Sequence, residues 1–278
     1  MNNWLILAIL AGFFSSFFNY GFRYVLKING DSTSFSWWFE LLRTIIFLFI
    51  LPFDYRLDLS YSSLPLFAGI GIVEFLSIYF YSKMHKESEL SISTIVLRLR
   101  VVWIPILAFV FMNERLTTVN YLGVLIVFIG LSFISSPKKF FYDKGILLAF
   151  ICSLTTSLLF IFTKSVSHYA SPSVIVIVMS LPSIFLFPIF VQDWRTRIKR
   201  FYSQNLLGVL LVSIASVVTM YFQLKALQTG TVTQVSGVFQ AMSFFTVLAG
   251  IFIMGEKDKL WEKIIGSMVV IYGAWLLI

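Results

Sequence analysis

The feature that most constrains this chain is a succession of long apolar runs. Each is long enough to cross a bilayer and is separated from the next by a short polar or proline-containing break. A spanning helix takes about 20 residues. Read this way, the sequence gives ten candidate spans, at 4–24, 35–52, 64–82, 90–112, 119–135, 145–165, 172–191, 205–226, 232–254 and 260–278. The runs do not alternate with period two, so a membrane β-barrel is excluded. Charged residues make up only 12% of the chain, too few to cover a soluble globule of 278 residues. Little chain is left over for a separate soluble domain.

Other classes are bounded quickly. Cys152 is the sole cysteine, and His85 and His168 are the only histidines. An intrachain disulfide is impossible, and a Cys/His metal centre or haem ligation is not expected. No nucleotide-binding signature and no other cofactor motif appears. The net charge of +8 fits loops facing anionic lipid, not nucleic acid. The N-terminus lacks a basic region and a clear cleavage site, so the first apolar run reads as a retained span. Trp37 and Trp38, Trp194 and Trp261 sit at span edges, where amphipathic rings act as interface anchors. Pro105, Pro182 and Pro188 fall inside spans, as tolerated kinks or as hinges beside a binding site.

The chain repeats itself. Residues 79–115 align without a gap on 221–257, at a constant offset of 142. Tyr79, Phe80, Lys83, Val96, Met112 and Glu114 match Tyr221, Phe222, Lys225, Val238, Met254 and Glu256. Each copy ends on an acid followed by a base, Glu114-Arg115 and Glu256-Lys257. Each is followed by a span with glycines seven apart, Gly123 and Gly130, then Gly266 and Gly273. Seven residues is two helical turns, so each pair lies on one face and permits close packing. Arg23 and Lys164 match at the far ends of the first and sixth spans. The predicted halves are 1–138 and 139–278, with five spans each. Two tandem five-span halves must insert with opposite orientation. The expected fold is therefore an all-α integral membrane protein of ten helices, built as two inverted five-helix repeats around a central cavity, an arrangement common among secondary transporters.

In these features the sequence resembles the EamA-type members of the drug/metabolite transporter superfamily, over essentially the whole chain. The resemblance implies export or import of a small organic molecule, through a cavity lined by helices of both halves, notably spans four and nine. It also implies a multi-pass protein of a bacterial inner membrane with both termini in the cytoplasm. Many members carry a tryptophan where this chain has Ser15 and Thr156, so any contact made by that tryptophan does not carry over.

Ionisable residues inside a membrane are costly, at about 2.5–3.5 kcal/mol each on insertion scales, and mark candidate function. Five are present. Glu40 and Arg43, three apart on span two, can pair as a self-neutralising couple or act as a gate that opens on binding. Glu74, at mid-span, either pairs with an arginine from another helix or carries a coupling proton, since burial favours the neutral acid. Arg98 and Arg100 lie about 200° apart around one helix. One is expected to face the cavity, the other a neighbouring helix or the interface. The offset matches Arg98 with Gln240, on a span that also bears Thr233, Gln234, Ser236 and Ser243. We therefore place Arg98 in the cavity across from Gln240, with Trp103, Ser236 and Gln234 nearby. A guanidinium suits a carboxylate or phosphate. Glu114 and Glu256 read as turn and packing residues.

These residues point to a secondary transporter of an anionic or zwitterionic, amino acid-like metabolite, with protons as a coupling ion and a monomer or homodimer in the lipid. A flippase subunit for a lipid or lipid-linked sugar is the alternative, and a non-transporting receptor or scaffold another. No paired acids, nucleophile and base, or metal cluster for an enzyme is visible. Counting the basic residues in the loops and at the span ends beside them, 14 belong to odd-numbered loops and 4 to even-numbered loops. That bias places the odd loops in the cytoplasm and both termini outside, opposite to what the resemblance implies.

Overall fold

The computed structural model describes residues 3–29, 31–87, 97–134, 144–191, 193–242, 245 and 260–278. These residues form the helices α1 (Asn3–Asn29), α2 (Ser32–Asp54), α3 (Leu64–Glu87), α4 (Arg100–Met112), α5 (Thr118–Ile134), α6 (Lys144–Ser167), α7 (Pro172–Phe190), α8 (Trp194–Thr229), α9 (Val232–Ala241) and α10 (Leu260–Trp275). Among the described residues the only extended pairing is an isolated bridge between Leu57 and Ala170. Six helices are long and apolar enough to cross a membrane: Asn3–Leu26, Ser32–Asp54, Leu64–Met84, Leu147–Ser167, Pro172–Phe190 and Leu206–Thr229. α4, α5 and α10 are shorter and equally apolar. Large apolar side chains such as Phe53, Phe185, Ile189 and Trp261 stand outward, as lipid-facing helices require. The parts of spans four and nine at 90–96 and 246–254 lie outside the described residues, as do Thr94, Val96, Ser243, Met254, Glu256 and Lys257.

The helices interlock between halves. The heaviest packing pairs α1 with α8, α5 with α10, α3 with α6 and α2 with α7, each joining one of α1–α5 to one of α6–α10. The interfaces also come in matched sets: α1·α8 with α3·α6, α2·α8 with α3·α7, and α1·α9 with α4·α6. Corresponding helices run antiparallel. On α5 and α10, a Cβ added to Gly123 would meet Gly273 O at 2.8 Å, and one added to Gly130 would meet Gly266 O at 2.8 Å. On α2 and α7, Trp37 Nε1 donates to Ile184 O at 3.0 Å while the Ser173 amide donates to Asp54 Oδ2 at 3.4 Å. A two-fold axis lying across the helices produces this pattern.

Two expectations change. α8 begins at Trp194, eleven residues before the expected start, so Arg195, Arg197, Lys199 and Arg200 lie on helix, not loop. No proline or glycine interrupts residues 194–205, and the chain turns once, at Asp193 with φ 54°. Trp37 and Trp38 are not free interface anchors. They meet each other edge-on, Trp37 also meets Trp194 edge-on, and their indoles donate to Ile184 O and Ile198 O, tying α2 to α7 and α8. α4 continues through Pro105 and α7 through Pro182 and Pro188.

Candidate functional site

A cavity of about 160 Å³ lies inside the bundle, lined by every helix except α5 and α10. Its walls follow the repeat. α3 contributes Glu74, Ser77, Ile78 and Tyr81, and α8 contributes Ser216, Thr219, Met220 and Gln223, each at the 142 offset. Ser15, Phe18 and Asn19 of α1 are matched by Thr156, Leu159 and Phe160 of α6. Ser77 Oγ and Thr219 Oγ1, one from each half, have no hydrogen-bond partner among the described residues.

On the α2–α3 side, one guanidinium holds two acids. Arg43 Nη2 donates to Glu40 Oε2 at 2.5 Å, to Glu74 Oε1 at 2.7 Å and to Ser180 Oγ at 2.9 Å. The three charged residues are 2%, 0% and 5% exposed. Glu40 lies one helical turn before Arg43, which brings the pair to one face. Glu74 reaches them from α3. The arginine from another helix that meets Glu74 is Arg43 of α2. Arg43 and Glu74 border the cavity, while Glu40 stands behind them.

On the α4–α9 side the arginine differs from the one expected. Arg98, ahead of α4, turns away and donates to the carbonyl of Leu131 on α5. Arg100 lines the cavity, and its Nε donates to Gln240 Oε1 at 2.7 Å. The reason is geometric. Antiparallel helices advance in opposite directions, so repeat-equivalent positions meet only where the helices cross. Stepping two residues along α4 from Arg98 keeps Gln240 as the neighbour. Among the described residues Arg100 has no carboxylate within ion-pair distance and Gln240 Nε2 has no hydrogen-bond partner.

The remaining expected site residues lie elsewhere. Trp103 packs edge-on against Phe150 at 5.8 Å and does not line the cavity. Ser236 Oγ donates to Thr233 O of its own helix, and Gln234 Nε2 donates to Leu277 O at the end carrying the termini. Sequence reading missed Ser77, Thr219, Tyr81 and Gln223, although the 142 offset pairs Tyr81 with Gln223 within the aligned stretch and, extended two residues before Tyr79, Ser77 with Thr219. Among the described residues no acid, histidine and cysteine cluster could hold a metal.

At the end opposite the termini, Arg197 Nε and Nη2 donate to the two Asp31 oxygens at 2.9 and 2.5 Å, joining α8 to the start of α2. Burial raises the Asp31 carboxyl, but Arg197 and Ser34 outweigh it and hold it below the usual carboxylate range.

An interlocked, two-repeat helical bundle with a cavity between its halves, largely apolar but bearing a few polar and charged groups, is an architecture suited to membrane transport. The chain belongs to the EamA-like transporter family, which it matches twice, over residues 2–136 and 143–278. It is similar to an uncharacterized transporter of Archaeoglobus fulgidus, 24% identical over 287 residues that cover 100% of this chain and 99% of that one. A crystal structure of a protein superposes with a TM-score of 0.68 at 17% identity, covering 97% of each chain.

Proposed function

We propose that the chain is a secondary transporter for a small organic molecule with an anionic or zwitterionic group. In this reading ten spans form two inverted halves, 1–138 and 139–278, in a bacterial inner membrane. The halves rock about the cavity and expose it to each side in turn. The observation that carries the reading is Arg100, a cation in the cavity wall bonded to a neutral amide. A carboxylate or phosphate entering the cavity supplies the charge that Gln240 does not. Gln240 Nε2, Ser77 and Thr219 offer further hydrogen bonds. Glu40 and Glu74 share one guanidinium, so with both acids ionised the group carries one net negative charge. A single proton neutralises it, which makes the triad the candidate site for proton coupling.

The test is uptake of a metabolite panel into proteoliposomes, with and without a pH gradient. Arg100→Gln is expected to lower uptake of the transported solute about 10²-fold or more while the protein stays monodisperse, the loss of a charge-assisted bond in a buried site. Arg98→Gln is expected to have a smaller effect. Unchanged uptake by Arg100→Gln rejects its role. Uptake indifferent to the gradient in both directions rejects proton coupling.

A further inference from the structure

At the end that carries the termini, ties run from one half to the other, and Glu114 makes the charged one that reaches α9. α4 stops at Asn113, which takes the left-handed conformation (φ 52°), one that asparagine tolerates better than most residues. The Asn113 amide bonds back to Phe109 O, the 5→1 bond of an αL stop, and the Glu114 amide bonds back to Ala108 O. The stop sends Glu114 out of α4 toward the second half. There Glu114 Oε2 accepts the Val232 amide at 3.0 Å and Oε1 accepts the Thr233 amide at 3.1 Å, both in the first turn of α9.

The turn on which Glu114 closes is held from its other side as well. Lys164 Nζ donates to Leu227 O at 2.5 Å and to Gly230 O at 3.0 Å, at the end of α8. A cation thus sits on the carbonyl end of α8 and an anion on the amide end of α9, each matched to the helix dipole. The turn is tight. A Cβ on Gly230 would meet Val235 Cγ2 at 2.7 Å and Trp4 Cγ at 3.0 Å.

α9 therefore joins this end to the cavity. At its start it is bound by Glu114, and near its end Gln240 is bound by Arg100. Among the described residues these are the polar ties between α9 and the α4 segment. Building on the transport reading above, we infer that Glu114 is the latch of the mouth at the terminus-bearing end. A solute that draws Arg100 away from Gln240 removes one tie and leaves the latch holding alone. Occupancy of the cavity and release of that mouth are then linked through a single short helix. Lys164 keeps the turn in place for the latch to re-engage.

The experiment reads mouth opening directly and needs no solute. Thr163, beside Lys164, lines the cavity. In a Cys152→Ser, Thr163→Cys protein in proteoliposomes, a membrane-impermeant maleimide is added on the side where a tag after Ile278 is exposed. Adding Glu114→Ala is expected to speed labelling about tenfold or more, the effect of losing a charged hydrogen bond. Glu114→Gln, which keeps one acceptor oxygen, is expected to give a smaller acceleration and serves alone should the alanine variant not fold. A labelling rate unchanged by the variants in monodisperse protein overturns the latch. Faster labelling in protein that transports nothing on the panel leaves the latch standing and counts against the transport reading.

Discussion

Arg43 shows how much a single residue can organise. Its guanidinium meets Glu40 from its own helix, Glu74 from α3 and Ser180 from α7. Three helices converge on it. Replacing it with methionine leaves two acids buried with no cation, and breaking a buried pair from one side typically costs about 3–5 kcal/mol. Arg43→Met is therefore expected to lower the melting temperature in detergent strongly. The triple variant Glu40→Gln, Arg43→Met, Glu74→Gln removes every charge and is expected to melt above the single variant. A single variant as stable as the parent contradicts the account. The pairing of Glu40 with Arg43 was legible in the sequence from a spacing of three. That Glu74 joins them was not, because the partner of a lone intramembrane acid depends on which helices pack together.

At the scale of elements, the glycine spacing was the most informative signal. Two helical turns between glycines places both on one face, and α5 and α10 meet there backbone to backbone. The contact can be tested by its intolerance of size. A Cβ on Gly130 would lie 2.8 Å from Gly266 O and 2.8 Å from Val270 N. Both are backbone atoms, which cannot turn aside as a side chain can. Gly130→Val is expected to destabilise by about 1–3 kcal/mol or more through overpacking, seen as a lower melting temperature. Gly208→Ala is the control, since its Cβ would meet only the Cγ2 methyl of Val25, at 2.9 Å. Equal effects of the two variants would remove the glycine face from the account. The register of α4 was harder to read. Sequence reports which positions correspond between repeats, whereas contact across a two-fold axis pairs positions that move in opposite directions. Choosing Arg98 over Arg100 was an error of that kind.

For the whole molecule, the open issue is which way it faces, and loop charges and family resemblance give opposite answers. The structure sharpens the charge argument. The end that carries the termini has few bases, and several are engaged. Arg56 Nη2 donates to Ser167 O at 2.8 Å, Lys164 caps α8, and Lys225 Nζ lies 5.8 Å from the centroid of the Tyr221 ring. The opposite end presents Arg195, Lys199 and Arg200 exposed on the extension of α8. Lysines and arginines close to span ends set orientation by resisting translocation, so the more basic opposite end is expected in the cytoplasm and both termini outside. A phosphatase that is active only outside the cytoplasm, fused after Ile278, is expected to be active, and a reporter that folds only in the cytoplasm is expected to be silent. The reverse result places the latch on the cytoplasmic face. It would also mean that repeat packing, not loop charge, sets the insertion of this chain. The two outcomes assign Glu114 to opposite steps of a transport cycle. With the termini outside, its release admits or discharges solute at the external face.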